Sequence, residues 1–415
     1  MTAAALLDTD GASSVRTLMD ALGNPQRRLR AVHITGSNGK GSTAAICAQL
    51  LAASGLEVGL FTSPHLSRAY ERIAVNGVAI SDADLSSALY RVHMAALSAS
   101  VQPTWFEAMT AAALLHFDRC GVAAAVIEVG ALGRRDATNV VDAEVAVVTN
   151  ISGDGNEETG IVRPGSTVIL GERDRELADY FERQLPGRIL QLDRDISVVD
   201  KMASSALTGA ADYTTPWGRH TDIELAVAGA FQRHNALCAL AAAESFLQRK
   251  MDSRVIAEVF GAVSLPGRFE VLGDAPMVIV DCADNDVAAA ALHPLVDNAI
   301  QLAQRRVLLC GLTTGHDARQ FLASLGSDRF DDVVVTEPDT QRAQPSTEVA
   351  AAAAAFDVNI VNEPTISTAL QTALSLTGAS GLVVVVGSHH LVGPVRELFG
   401  ALGCANTALR RATRS

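Results

Sequence analysis

The chain has 415 residues, 48% of them hydrophobic, and its formal net charge at pH 7 is -13. This length predicts two domains of ordinary size, and an acidic charge without any basic block argues against a nucleic-acid partner. Because no apolar run reaches roughly 18 residues, the amino terminus lacks a basic start and the six cysteines contain no CxxC pair, we expect a cytoplasmic protein without a membrane partner or a disulfide framework.

Short β-rich runs alternate with alanine- and leucine-rich stretches through the first half of the chain. The predicted strands are 31–35, 124–130, 145–150 and 167–170, and helices are predicted near 43–54, 82–99 and 106–119. This alternation predicts an α/β fold with a central, mostly parallel sheet between helices.

A glycine-rich turn follows the first predicted strand, in the segment VHITGSNGKGSTAAICAQLL at 32–51. A strand, a glycine turn and a helix N-terminus form an anion site, because main-chain amides and the helix dipole converge there. The turn is a tighter variant of the Walker phosphate loop, and its Lys40 is one of only three lysines. The alternative is a glycine turn that holds nothing. We predict that the turn binds a nucleotide through Ser37, Asn38, Gly39, Lys40, Gly41, Ser42 and Thr43.

A second alternating series begins after SLPGRFEV at 264–271. Its predicted strands are 277–281, 306–311, 332–338 and 382–388, each separated by a helical stretch. Pro266 and Gly267 form a natural hinge, so we predict a phosphate-loop domain over 1–265 and a smaller, Rossmann-like α/β domain over 266–415. The alanine tract 350–355 is predicted as an ordinary helix. Adjacent strand residues face opposite ways, so His389 and His390 are not expected to chelate one ion.

The phosphate loop resembles that of the Mur ligase superfamily, and further motifs resemble the folylpolyglutamate synthase/dihydrofolate synthase family. The matching segments, in the family's order, are 15–26, 55–77, 104–117, 127–130, 133–141, 266–271, 333–345 and 387–399. The resemblance implies that a substrate carboxylate attacks the γ-phosphate of ATP to form an acyl phosphate. The amino group of glutamate then displaces phosphate to form an amide, a reaction that needs charge stabilisation and positioning.

The resemblance also implies roles for individual residues. Lys40 and Glu128 would be catalytic, and Ser63 and Glu128 would hold Mg²⁺, a hard cation that prefers oxygen ligands. Taken alone, Ser63 would be interpreted as a turn hydroxyl and Glu128 as a solvated strand end. The nucleotide positions outside the loop are Asn235, Arg268 and Asp281, and the substrate positions are Thr104, Trp105, Phe106, Glu107, Asp136 and Ala137. The aromatic pair would stack on a flat heterocycle or, alternatively, belong to the core.

The chain departs from the family near the metal. The family has a metal-binding His and a carbamylated Lys after its DATN segment, but this chain has no His between His116 and His220 and no Lys between Lys40 and Lys201. Carbamylation needs a primary amine, so Arg163 cannot substitute. The acids Asp154, Glu157 and Glu158 could replace the lost ligands, although a solvated acidic loop is the favoured interpretation.

Three functional hypotheses follow. The preferred one is an ATP- and Mg²⁺-dependent ligase that joins glutamate to a folate-like carboxylate and works as a monomer on small molecules. The second is a repurposed ligase for another acid and amine, in which Arg135 and Trp105 shape the acid's pocket. The third is a nucleotide-binding protein without catalysis.

Overall fold

The computed structural model describes residues 11–131, 133–151, 155–201 and 209–412. The chain divides into two compact units. The first comprises Met1–Ala226 with Ala230–Val263, and the second comprises Val227–Gly229 with Ser264–Ser415. None of the helices in the described ranges is long and apolar enough to cross a lipid bilayer.

The first unit is built on an eight-stranded sheet. Its strands in chain order are β1 (Ala31–Thr35), β2 (Val58–Phe61), β3 (Ile73–Val75), β4 (Val78–Ala79), β5 (Ala124–Glu128), β6 (Val145–Val148), β7 (Thr167–Leu170) and β8 (Arg188–Gln191). The spatial order is β4-β3-β2-β5-β1-β6-β7-β8. Only β3 and β4 run antiparallel to their neighbours, so the predicted α/β fold is confirmed.

Helices cover this sheet, which explains why its central strands are apolar along their whole length. They are α1 (Gly11–Ala21), α2 (Lys40–Ala53), α3 (Asp82–Ala99), α4 (Trp105–Cys120), α5 (Asn156–Thr159), α6 (Arg175–Glu182), α7 (Ala230–Leu247) and α8 (Ser253–Ala262). Every residue of β1, β5 and β6 is buried. The three helices predicted from the sequence are confirmed as α2, α3 and α4.

The register of the sheet places three strand ends together. Ile34 of β1 is opposite Glu128 at the end of β5, and Thr35 is opposite Val148 at the end of β6. Because parallel strands end at the same edge, the segments that follow β1, β5 and β6 meet there. This edge carries the phosphate loop.

A small antiparallel sheet in the same unit was not predicted. It consists of β9 (Ser197–Asp200), β10 (Ala210–Thr215) and β11 (Gly218–Glu224) in the order β11-β10-β9. Tyr213 of β10 is buried and packs edge-on against Phe260 of α8, with ring centroids 5.3 Å apart. This contact attaches the small sheet to the helical layer.

The second unit is a six-stranded sheet in the order β12-β13-β17-β14-β15-β16, with only β12 antiparallel. The strands are β12 (Glu270–Asp274), β13 (Met277–Asp281), β14 (Arg306–Cys310), β15 (Asp332–Val335), β16 (Asn359–Asn362) and β17 (Leu382–Val386). The helices are α9 (Asp286–Ile300), α10 (Ala318–Leu325), α11 (Ser346–Ala353), α12 (Ile366–Thr377) and α13 (His389–Ala412). The four predicted strands of this part are confirmed.

Two local predictions in the second unit need comment. The alanine tract is helical, as predicted, but its helix α11 ends at Ala353. The strand assumed for His389 and His390 is wrong, because both residues begin α13. The argument from opposite strand faces therefore does not apply to them.

Candidate nucleotide and substrate site

The phosphate loop connects β1 to α2 through two glycines with positive φ. Gly36 has φ 131° and Gly39 has φ 82°. A Cβ at Gly36 would overlap the hydroxyl of Thr149, and a Cβ at Gly39 would overlap the side-chain amide of Asn235. Both positions therefore need glycine for the turn and for close approach of a neighbour. The result is a tight turn that leads directly into the N-terminus of α2, where amides favour an anion.

Lys40, the first residue of α2, bends back over the loop. Its Nζ donates hydrogen bonds to the carbonyl oxygens of Gly36 at 2.7 Å and Ser37 at 3.3 Å. The ammonium is therefore held at the loop, where an incoming phosphate would meet a positive charge. Of the hydroxyl residues that follow, Ser42 is 4% exposed and Thr43 is 0% exposed.

Thr149 and Asn150 hold the loop from the end of β6, although no predicted site includes them. Asn150 Oδ1 accepts hydrogen bonds from the Ser37 amide at 2.8 Å, the Ser37 hydroxyl at 2.9 Å and the Asn38 amide at 3.0 Å. Thr149 Oγ1 donates to the Asn38 carbonyl at 2.7 Å. A polar Thr-Asn pair directly after a buried strand was the available signal, since a neighbouring parallel strand ends beside the loop.

Asn235 approaches the loop from α7, and its predicted contact with a nucleotide stays a prediction. Its Oδ1 is the atom that a Cβ at Gly39 would overlap. Its Nδ2 donates to Gln232 Oε1 at 3.0 Å, and Gln232 is only 1% exposed. The side-chain amide is therefore fixed against the loop.

Glu128 lies beside the same loop, at the end of β5. It is 3% exposed, so its interpretation as a solvated strand end is wrong. Its Oε2 accepts a hydrogen bond from the Ser63 amide at 2.8 Å, and a Cβ at Gly41 would lie 3.4 Å from both carboxylate oxygens. The structure thus brings together Glu128, Ser63 and the start of α2.

Arg72, which is not among the predicted site residues, joins this group from the turn before β3. Its Nε donates to His65 Nδ1 at 2.9 Å, and its guanidinium lies 4.7 Å from the centroid of the Trp105 ring. Burial lowers the pKa of Arg72 to about 10, although the charges of Glu128 and Glu71 oppose that shift. Arg72 is therefore a buried cation next to Glu128 and an aromatic face.

The segment from Thr104 to Glu107 uses its polar groups to begin α4. The Thr104 hydroxyl accepts from the Glu107 amide at 3.3 Å, and the Glu107 carboxylate accepts from the Thr104 amide. This capping box stabilises the helix N-terminus. Phe106 packs against Phe61, with ring centroids 5.9 Å apart, whereas Trp105 is 53% exposed. Of the predicted aromatic pair, Trp105 is exposed and Phe106 is partly buried, and their contact with a substrate stays a prediction.

Asp136 fastens the loop that follows β5. Its Oδ2 accepts from the amides of Gly130 at 3.1 Å and Ala131 at 3.2 Å, and its Oδ1 accepts from the Thr138 amide at 3.0 Å and hydroxyl at 2.6 Å. Asp136 is 5% exposed and Ala137 is 4% exposed. Both predicted substrate positions are therefore largely buried, and their assignment stays a prediction.

His33 of β1 ties this loop to the centre of the sheet. Its Nε2 lies 2.9 Å from Thr138 Oγ1. Because that hydroxyl already donates to Asp136, Nε2 carries the imidazole proton and donates to it. Burial, together with the positive charge of Arg163, lowers the pKa of His33 to about 3, so the ring is neutral near pH 7.

The acids proposed as replacement metal ligands do not form a solvated loop, so that interpretation is wrong for the two that can be located. Glu157 Oε1 accepts from Arg135 Nε at 2.7 Å, and its Oε2 accepts from the Arg135 amide at 3.1 Å. Burial raises the pKa of Glu157, but the hydrogen bonds from Arg135 outweigh it and the net pKa is lowered. Glu158 is 7% exposed, and Asp154 lies outside the described residues. Within the described ranges, no group of three or more His, Cys, Asp or Glu residues could hold a metal ion.

In the second unit, Arg268 lies just before β12 and Asp281 is the last residue of β13. The two side chains are close enough to interact electrostatically. Arg268 Nη2 is 3.2 Å from His389 Nε2. Asp281 accepts from the amides of Phe269 at 2.7 Å and Ala283 at 2.8 Å. Burial raises the pKa of Asp281, although Arg268 and these amides oppose it. Their predicted contact with a nucleotide stays a prediction.

Comparison with known proteins gives two family matches. The Mur ligase middle domain matches residues 34–161, and the Mur ligase glutamate ligase domain matches residues 267–389. The chain is 31% identical over 448 residues to dihydrofolate synthase/folylpolyglutamate synthase of Mycobacterium tuberculosis, covering 93% of this chain and 89% of that protein. It is 30% identical to folylpolyglutamate synthase of Lacticaseibacillus casei, covering 92% of this chain and 93% of that protein.

The chain is also similar to solved structures of folylpolyglutamate synthases. Folylpolyglutamate synthase of Mycobacterium tuberculosis complexed with ADP matches with a TM-score of 0.88 and 30% identity, covering 94% of this chain and 95% of that chain. The bifunctional folylpolyglutamate synthase/dihydrofolate synthase of Yersinia pestis, complexed with AMPPNP and a Mn ion, matches with a TM-score of 0.81 and 26% identity, covering 94% of this chain and 93% of that chain.

Proposed function

The chain belongs to the folylpolyglutamate synthase/dihydrofolate synthase family of Mur ligases, and we propose that it joins glutamate to a folate-like carboxylate. It is an ATP-dependent ligase that uses a divalent metal ion. The carboxylate is activated as an acyl phosphate before the amine of glutamate displaces phosphate. One observation carries the assignment to this chain's residues: a fixed phosphate loop with Lys40 lies beside the buried carboxylate of Glu128.

Lys40 and the amides at the start of α2 are proposed to bind the triphosphate. Phosphoryl transfer needs little covalent chemistry from protein, and fixed donors stabilise the charge that develops on the phosphate oxygens. Ser42 and Thr43 remain alternatives for a phosphate or metal contact. The support for Thr43 is that its buried Oγ1 has no hydrogen-bond partner in the described part of the chain.

Glu128 and Ser63 are proposed to hold the metal ion, which we infer to be Mg²⁺. The donor set fits, because a carboxylate and a hydroxyl are hard oxygen ligands and Mg²⁺ completes its shell with water and phosphate. The buried position of Glu128 beside α2 supports this proposal. When bound, the ion neutralises charge on the phosphates.

Trp105 is proposed to contact the ring system of the acid. Its half-exposed indole, with Arg72 on one face, supports stacking on a flat heterocycle. Thr104 and Glu107 are proposed to contact the same substrate and also cap the start of α4. Phe106, the fourth predicted substrate position, packs against Phe61. The substrate contacts of Asp136 and Ala137, and the nucleotide contacts of Asn235, Arg268 and Asp281, are part of the same proposal.

We further propose that the protein is a cytoplasmic monomer that acts on small molecules without a nucleic-acid or membrane partner. The acidic net charge supports the absence of a nucleic-acid partner. The five described cysteines are free thiols, as a reducing compartment would keep them. Sedimentation velocity would test the monomer.

Phosphate release from ATP with the metal ion, glutamate and a panel of pteroates and folates tests the function. We expect release only when both an acid and glutamate are present. Lys40→Ala should lower the rate about 10²-fold or more, because it removes a fixed charge from the transition state. Lys250→Ala is the matched control, since Lys250 Nζ donates to the Arg219 carbonyl, at 3.1 Å, and to no other described residue. Release that continues unchanged in Lys40→Ala would contradict the proposal.

A further inference from the structure

A basic cavity lies in the first unit, between α1, the turn Pro25–Arg28 and the loops around residues 134–142 and 160–163. Its volume is about 860 Å³, within the range of roughly 300–1,000 Å³ that small-molecule sites occupy. Five arginines line it: Arg16, Arg27, Arg134, Arg135 and Arg163. The carboxylates in the same lining are Asp20 and Asp142. The cavity therefore has an excess of positive charge in a chain whose net charge is -13.

Arg163 and Arg135, the inner arginines of the cavity, are both held in place by bonds to neighbouring residues. Arg163 donates to the Gly160 carbonyl at 3.0 Å, to Asn139 Oδ1 at 2.6 Å and to Asp142 Oδ1 at 3.1 Å. Arg135 is likewise paired, with Glu157 at 2.7 Å. These two guanidinium groups form a fixed wall.

The outer arginines differ from the inner pair. Arg16 and Arg27 are exposed, and in the described part of the chain neither side chain has a hydrogen bond or an ion pair. A guanidinium presents its donors in a planar fork that matches a carboxylate or a phosphate. Two such groups at the mouth of a positive cavity can bind an anion without breaking an existing ion pair.

The floor beside Arg27 is polar and ordered. Gln26 is 7% exposed, and its Nε2 donates to Asn24 Oδ1 at 3.0 Å. Asn24 Nδ2 in turn donates to Asp20 Oδ1 at 2.9 Å. Gln26 Oε1 is buried with no hydrogen-bond partner among the described residues, an arrangement that costs free energy.

We infer that this cavity binds a small polyanion with two or more carboxylate or phosphate groups, held by Arg16 and Arg27 against the wall formed by Arg135 and Arg163. Arg135 directly precedes Asp136, a proposed substrate contact. Assigning the polyanion to the charged part of the acid substrate therefore rests on the proposed function. Binding of the anion itself does not.

Calorimetry on the whole protein tests the inference. The phosphate loop is first saturated with AMPPNP and Mg²⁺. Each anion is also injected into the same solution without protein, and this heat of Mg²⁺ chelation is subtracted, so that the remaining heat reports the cavity. Tricarballylate supplies three carboxylates, its triamide is the uncharged match, and pyrophosphate is the phosphate probe. We expect one of the two anions to bind one-to-one, the triamide not to bind, and added salt to weaken the interaction.

The double variant Arg16→Gln, Arg27→Gln should weaken anion binding about tenfold or more, because two charge-assisted contacts are lost. Both side chains are exposed, so the fold should be retained, and circular dichroism checks this. Arg91→Gln, at another exposed arginine, on α3, should bind as the wild type does. A preference for tricarballylate or for pyrophosphate would identify the ligand as a carboxylate or a phosphate compound.

No heat with either anion, or equal affinity in the double variant, would overturn the inference. The nucleotide titration separates this outcome from failure of the proposed function. Nucleotide uptake without anion uptake would leave the ligase assignment intact and remove the polyanion site. Anion uptake without nucleotide uptake would support the polyanion site and contradict the proposed nucleotide site.

Discussion

The phosphate loop and the loop from Gly130 to Thr138 both follow central strands of one sheet, yet they use their polar groups differently. In the phosphate loop, Asn150 binds the first amides of the turn, and Lys40 remains at the surface of the turn. In the second loop, Asp136 satisfies four donors of its own segment. A matching motif therefore locates a loop, but hydrogen bonding decides which groups are left for a ligand.

The largest expected effect concerns Glu128, which lies between the two loops. Glu128→Gln keeps an oxygen that can accept from the Ser63 amide but removes the negative charge proposed to hold the metal ion. Phosphate release should fall about 10²-fold, and the remaining activity should need more Mg²⁺. Glu258→Gln, on the exposed face of α8, should behave as the wild type. If phosphate release by Glu128→Gln depends on Mg²⁺ concentration as it does in the wild type, the proposal that Glu128 holds the metal ion is wrong.

Thr138→Val tests whether the second loop is structural. The substitution keeps the shape but leaves Asp136 Oδ1 and His33 Nε2 without the hydroxyl that joins them. The free energy of unfolding should fall by about 2 kcal/mol, measured by urea denaturation. Nucleotide affinity should stay the same. A variant that folds normally but loses nucleotide binding would show that this loop belongs to the phosphate site.

Asn150→Ala is the complementary change in the phosphate loop. It removes the acceptor for two amides and one hydroxyl of the turn, so the turn loses its fixed shape. Calorimetry with AMPPNP and Mg²⁺ should show an affinity about tenfold lower. Asn359→Ala is a suitable control, since Asn359 bonds to Asp332 in the second unit. Equal affinities for Asn150→Ala and the wild type would end the proposed role of Asn150.

The last effect depends on pH and concerns His33. Its folded pKa is about 3, against the ordinary histidine value of 6.5. Below the unfolded pKa, the unfolded chain therefore binds a proton that the folded chain does not. Stability should therefore fall as pH drops from about 6.5, by up to about 1.4 kcal/mol per pH unit from this residue. His33→Gln should lose that part of the slope in urea unfolding, whereas the exposed His93→Gln should keep it. If the free energy of unfolding of His33→Gln depends on pH as steeply as that of the wild type, the low pKa of His33 in the folded chain is wrong.

The sequence predicted the parts of the fold that burial encodes. The apolar runs of β1, β13 and β17 and the alanine- and leucine-rich stretches of α3 and α4 stand out in the sequence, so their positions were found. Strand β4 has two exposed residues, and the sheet formed by β9, β10 and β11 follows no such pattern. Short or edge strands depend on pairing partners that lie far away in the sequence.

The glycine turn after β1 pointed to Lys40, and the family resemblance pointed to Glu128 and Ser63. The structure places these residues near one another, and their roles stay proposals. The sequence missed Asn150 and Arg72, whose roles come from distant neighbours rather than from spacing. It also misjudged Glu157, since the ion pair with Arg135 appears only when the two loops are brought together. Partner choice among polar side chains is a property of the folded chain.

Calorimetry of AMPPNP with Mg²⁺ tests the central claim, that Lys40 and the amides of a fixed glycine turn bind a triphosphate. The wild type should take up one nucleotide, and Lys40→Ala should bind it about tenfold or more weakly while remaining folded. A correctly folded wild type that takes up no nucleotide would contradict the account.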